Sequence, residues 1–199
     1  MKLFFTFSFF FCLLSANTQS LTLNIGGNFN RTIRAAYPEI RRFTFEDFSP
    51  KNGYQAGLTY KHLLYKSFFV DAEISYLNKG HERRGFNKEL LNSVNYNYLT
   101  FTPSIGYDFP FGFSLKVGMG INHLLSYDGF NLGVIEKTEY ALSTTLSYNY
   151  KRIGLELSHS NDIKPMQQFE SLGQKFENYH EWYAASLSFQ IFKKQPKTP

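Results

Sequence analysis

The sequence predicts an all-β protein, an up-and-down antiparallel transmembrane β-barrel of about eight strands. Three observations lead there. Long stretches alternate apolar and polar residues with the period of a strand. The connections between those stretches alternate short and long along the chain. Aromatic residues make up 19% of the 199 positions, with 22 Phe and 14 Tyr, although the mean hydropathy is only −0.32. Such a balance suits a sheet whose two faces meet different solvents. It does not suit a bundle of membrane helices, because past the first few residues no apolar run is long enough to span.

Met1-Lys2, the apolar run 3–14 and the small or polar residues 15–20 have the form of a secretory signal peptide. Residues 1–20 are therefore read as a leader, 21–192 as the barrel and 193–199 as a disordered tail. Cys12 is the single cysteine and lies in the leader, so no disulfide scaffold is expected in the exported protein. The chain carries 21 basic and 16 acidic residues, or +5, which becomes +4 without Lys2. That weak, dispersed charge argues against a nucleic-acid partner.

The clearest element is the hairpin spanning 95–126. On its second arm Phe113, Leu115, Val117, Met119 and Ile121 share one face, and Ser114, Lys116, Gly118, Gly120 and Asn122 the other. On its first arm Leu99, Phe101, Ile105, Tyr107 and Phe109 oppose Tyr98, Thr100, Thr102, Ser104, Gly106 and Asp108. Phe109-Pro110-Phe111-Gly112 is the turn between them. The other elements repeat this plan. Residues 22–32 set Leu23, Ile25 and Phe29 against Asn24, Gly26, Asn28 and Asn30, and a long connection, 33–52, follows. Residues 53–62 set Tyr54, Ala56, Leu58 and Tyr60 against Gln55, Gly57, Thr59 and Lys61. After a short turn, 68–78 set Val70, Ala72, Ile74 and Tyr76 against Asp71, Glu73 and Ser75. Residues 79–93 read as a long charged loop. Beyond the hairpin, 127–136 is a medium loop. Strand 137–150 places Leu142 and Leu146 opposite Glu139 and Ser143, and Lys151-Arg152 forms a tight turn. Strand 153–160 opposes Leu155 and Leu157 to Gly154 and Glu156. Residues 161–177 are the last long loop. The closing strand, 178–192, opposes Tyr183, Leu187 and Phe189 to Ala184, Ser186 and Ser188.

Short turns on one rim and long loops on the other describe an outer-membrane barrel with periplasmic turns. Alternation alone does not say which face is outside, and a soluble, lipocalin-like ligand-binding barrel is the inverted alternative. The loop asymmetry, the tyrosines near the ends of the apolar face and the Gly, Ser and Thr of the polar face favour the membrane orientation. A soluble surface carries more long Lys and Glu chains.

The mature chain also resembles the PorT-like outer-membrane β-barrel domain family of Bacteroidetes-type bacteria. The resemblance rests on Gly26-Gly27-Asn28-Phe29, on the run from Asp71 to Gly80, on Tyr98-Leu99-Thr100-Phe101-Thr102-Pro103, on 118–126 and on Asn161-Asp162-Ile163. That family usually ends on an aromatic, whereas here seven residues follow Phe192. The resemblance implies a barrel in the cell outer membrane, with a part in secretion or gliding machinery for some members.

Lys61, Asp71, Glu73, Asp108, Lys116, Glu139 and Glu156 all fall on the lumen-facing side. In a barrel this narrow they are expected to pair, Glu73 with Lys116 or Lys61, as a polar plug rather than an ion path. The five histidines show no metal-ligand spacing, so no metal and no cofactor is expected. Ser158, His159 and Asp162 do not make a hydrolase, since neighbours on a strand point apart and no G-x-S-x-G occurs; the chain is read as non-enzymatic. Arg34, Arg41, Arg42, Phe43, Phe45, Arg83 and Arg84 cluster in the long loops, where guanidinium groups can meet glycolipid phosphates or a protein partner. The expected role is a membrane-anchored scaffold, assembly or surface-interaction component acting through those loops, with a narrow porin as the main rival.

Overall fold

The computed structural model describes residues 19–37, 41–43, 48–84, 90–129, 134–171 and 174–193. Eleven strands follow in chain order: β1 (Gln19–Tyr37), β2 (Arg41–Phe43), β3 (Phe48–Tyr65), β4 (Phe68–Arg84), β5 (Leu90–Asp108), β6 (Phe113–Asp128), β7 (Val134–Ile135), β8 (Thr138–Tyr150), β9 (Ile153–Asp162), β10 (Gln167–Ser171) and β11 (Gln174–Lys193). Eight long ones pair antiparallel in the order β1-β3-β4-β5-β6-β8-β9-β11. The pairing of β11 with β1 closes the ring. Closure leaves no open edge among these eight, which is what a sheet in lipid requires.

The connections on one rim are tight. Lys66 and Lys151 take the positive φ of their turns at 49° and 56°, and Pro110–Gly112 forms a single 3-10 turn with Phe111 at 65°. The same rim holds the start of β1 and the end of β11, whose Ser20 and Lys193 are partners. Residues 1–18 of the stretch read from sequence as a leader lie outside the described residues. Gln19 and Ser20, assigned to it from sequence, are the first residues of β1. Lys193, assigned to the tail, ends β11, and 194–199 lie outside the described residues.

The apolar face points outward. Ile25, Leu58, Ile74, Ile105, Leu142 and Leu187 are all about half exposed or more, while Asn24, Thr59, Ser75, Thr100, Ser147 and Ser188 are buried inside. This excludes the inverted, soluble orientation for the belt. Aromatic rings bound it: Tyr107 packs edge-on against Phe68 and Phe109 near the tight turns, and Tyr54 stacks on Tyr76 towards the other rim. From Phe68 to Tyr76, at about 3.4 Å per residue and a tilt of about 40°, the wall rises roughly 21 Å. With the rings added, that matches the band that crosses an outer membrane.

The strands do not stop at the upper ring. β4 runs on to Arg84, β5 begins at Leu90, β1 reaches Tyr37 and β11 begins at Gln174. The connections 33–52, 79–93 and 161–177, read as loops from sequence, are thus largely strand, with β2, β7 and β10 adding short pairings there. Above the belt the outward positions of β4 and β5 turn polar, at Asn78, Glu82, Arg84, Asn95 and Asn97, so the alternation that marks these strands below disappears while the ladder continues.

Within these extensions the faces exchange roles. Leu77, Val94, Tyr96, Tyr98 and Trp182 point into the lumen and are buried, whereas Asn78, Asn95 and Asn97 face out. With Ala141 and Met166 they form a hydrophobic core inside the barrel, flanked by Leu124 and Ile135. The lower wall is built for lipid outside and water within; the upper wall is built like a soluble protein.

Candidate functional site

The lumen has two storeys. The upper one is the hydrophobic core just described, and it encloses a charge cluster. Lys79 on β4 and Glu139 on β8 form an ion pair at 2.6 Å with both side chains fully buried. Lys79 Nζ lies 3.8 Å from Asp162 Oδ1, and it packs 4.6 Å from the Tyr98 ring and 4.3 Å from that of Trp182. The Tyr98 hydroxyl donates to the other oxygen of Glu139. His180 approaches both carboxylates through Nδ1, at 3.7 and 3.8 Å, and its backbone N–H donates to Asp162 at 2.7 Å. An ion pair in so dry a place holds only because its partners are hydrogen-bonded and ringed by aromatic faces.

The sequence assigns Glu139 to the lumen but not its partners. Lys79 reads as a loop residue and Asp162 as part of the last long loop, and His180 is one of five histidines with no metal-ligand spacing. All three are interior. Glu139, Asp162 and His180 place ligand atoms within 4.8 Å of one another, a grouping that His–His spacing along the chain does not reveal. The Lys79 ammonium stands beside both of these carboxylates, at 2.6 Å from Glu139 and 3.8 Å from Asp162.

The lower storey is polar and hollow. A cavity of about 530 Å³ opens at the tight-turn rim, while the space above it, towards the core, shrinks to about 50 Å³. Lys61 bonds Asp108 at 2.5 Å across the floor. Lys116 stands 3.2 Å from Asp71, 3.7 Å from Glu73 and 3.9 Å from Glu156. The seven lumen charges named from sequence thus fall into two separate groups. Glu139 belongs to the upper cluster and the other six to the lower.

On the outer rim, Arg34, Arg41, Arg42 and Phe43 are strand residues, not loop residues: Arg34 pairs with Phe43 and Ala36 with Arg41 across β1 and β2. Arg83 and Arg84 end β4, where Arg84 donates to Glu82 at 2.8 Å. Phe45 lies outside the described residues. Ser158, His159 and Asp162 do not converge. His159 faces outward, bonded to Glu181 at 2.9 Å and stacked on Tyr183, while Asp162 faces His180. The neighbouring Arg31 also binds Glu181, so a polar patch crosses β1, β11 and β9 just above the belt.

No protein-family model matches the chain, and no curated protein matches its sequence. Solved structures do. Neisserial surface protein A aligns at a TM-score of 0.51 and 6% identity over 85% of this chain and 97% of its own. OprG of Pseudomonas aeruginosa aligns at 0.44 and 12% identity over 87% and 97%, and Ail of Yersinia pestis at 0.42 and 15% over 87% and 99%. The fold is that of an outer-membrane β-barrel. Closed ring, apolar belt and aromatic boundaries place the chain in the cell outer membrane.

Proposed function

We propose that this barrel is a non-enzymatic surface component, a membrane-anchored scaffold or interaction protein that works through its outer rim. The observation that carries the reading is the pairing of a blocked lumen with walls that continue beyond the belt. Core and ion pair occupy the passage, and β4, β5 and β11 carry polar outward residues, among them Asn78, Glu82, Asn95, Asn97 and Glu181, beyond the belt. Arg34, Arg41 and Arg42 on β1 and β2, with Arg83 and Arg84 on β4, supply positive charge at that rim. Its ligand chemistry is phosphate on an outer-leaflet glycolipid or an acidic surface on a protein partner. The motif run from Gly26 to Ser126 supports kinship with the PorT-like barrels, and with it a place in an assembly.

The test replaces residues 38–47 and 85–89 by short Gly-Ser links and carries photo-crosslinkers at Arg42 and Arg84 in the parent. Heat-modifiable migration on a gel is expected to survive the replacement, while crosslinks to lipid or protein at the cell surface are expected in the parent and lost in the variant. A parent that crosslinks to nothing at either position overturns the proposal.

A further inference from the structure

The charge cluster of the upper storey is not completed by Lys79. Glu139 and Asp162 share that one ammonium, and Asp162 Oδ1, 3.8 Å from it, accepts no hydrogen bond. His180 has a fully buried side chain, and neither of its ring nitrogens has a hydrogen-bond partner among the described residues. A buried polar group left bare is costly. His180 Nδ1 stands 3.7 Å from Glu139 Oε2 and 3.8 Å from Asp162 Oδ2. Those separations are too long for hydrogen bonds, which join nitrogen and oxygen at about 2.7–3.2 Å. They suit ligands of a single ion, because metal bonds of about 2.0–2.2 Å in a tetrahedron set neighbouring ligand atoms roughly 3.3–3.6 Å apart. The ligand atoms of all three residues lie within 4.8 Å of one another. Asn122, the register partner of Glu139, is also fully buried, with both atoms of its side-chain amide unbonded.

We infer that Glu139, Asp162 and His180 form a binding site for one transition-metal dication of the zinc class. An imidazole with two carboxylates is a donor set such an ion takes, whereas calcium and magnesium seek about six or more oxygens. A dication balances both carboxylates, which one ammonium does not. To admit it, Lys79 gives up Glu139 Oε2 and withdraws onto the rings of Tyr98 and Trp182, which it already faces at 4.6 and 4.3 Å. Ammonium and metal are thus rival occupants of one carboxylate pair. Lys79 comes from β4, and the three ligands come from β8, β9 and β11, which neighbour one another in the ring. With the ammonium in place the cluster ties β4 across the lumen; with the metal it clamps the other three strands together. This inference rests on the barrel core and not on the role of its outer rim.

The experiment folds the untagged protein into lipid nanodiscs with cobalt(II) as the probe, removes free ion, and counts bound ion against protein. Visible absorption reports its coordination. One cobalt per barrel is expected, with the strong absorption of a four-coordinate ion, water taking the fourth place, and with loss of that absorption when zinc is added. His180→Phe keeps a ring against Tyr96 but removes the nitrogen ligand, and is expected to lose the bound ion. Lys79→Met removes the rival cation, and is expected to bind cobalt about tenfold more tightly than the wild type. Heat-modifiable migration confirms that each variant has folded, and where one variant does not close, the other decides. No stoichiometric cobalt on the wild type, the same amount and spectrum on folded His180→Phe, or a folded Lys79→Met that binds no more tightly would overturn the inference. The outer-rim reading is tested on whole cells and stands or falls separately.

Discussion

At the scale of single residues the barrel interior is governed by the cost of unpaired charge. Lys79 is the clearest case, because its ammonium is shared by Glu139 and Asp162 inside a wall of Tyr98 and Trp182. Replacing it by methionine preserves much of the packing but leaves two carboxylates in a dry core. Lys79→Met is therefore expected to lose roughly 3–5 kcal/mol, read from urea unfolding of the lipid-reconstituted protein. Adding Glu139→Gln should restore part of that loss, since the second change removes the charge that the first exposes. A double variant no more stable than Lys79→Met would show that the pair is not the energetic centre of the core. Of this cluster, local sequence placed only Glu139 in the lumen. Lys79, Asp162 and His180 each sit in a polar stretch, and only the register of β4, β8, β9 and β11 brings them together.

At the scale of the element, the strands within the belt could be read because lipid outside and water inside impose opposite demands on alternate positions. Their upper ends could not, for the reason that makes them interesting: there the demands reverse. The reversal does leave a mark. Apolar neighbours stand side by side at Tyr76-Leu77, Tyr98-Leu99 and Trp182-Tyr183, one of each pair facing out and the other in. A strict two-residue period treats such pairs as noise, yet they locate the upper boundary of the belt on three strands. The seam between β1 and β11 offers a second element-level test. A Cβ on Gly26 would run into Ser186 Oγ and the carbonyl of Ala185, whereas one on Gly27 meets nothing closer than the Gly53 carbonyl at 3.8 Å. Gly26→Val is expected to abolish most of the heat-modifiable, closed form, and Gly27→Val to leave it intact. Equal behaviour of the two neighbours would mean that the seam tolerates more separation than its packing implies.

At the scale of the whole molecule, the two-storey lumen separates this barrel from a pore. Purified protein in planar bilayers is expected to pass no steady current, and Trp182→Ala, which thins the core, to add brief openings. Steady conductance of the wild type would restore the porin alternative. The ring also constrains how the molecule can come into being. Arg31 and Glu181, 150 positions apart, meet across the seam, and every strand between them must be in place before they do. Loop closure over so long a span is slow and brings no reward until late. A chain cut anywhere short of β11 would present two bare rows of amide groups to hydrocarbon, each unsatisfied group costing several kcal/mol. Assembly is thus all-or-none: half of this wall is not half a protein, and an unfinished chain has to be held away from the bilayer until its last strand arrives.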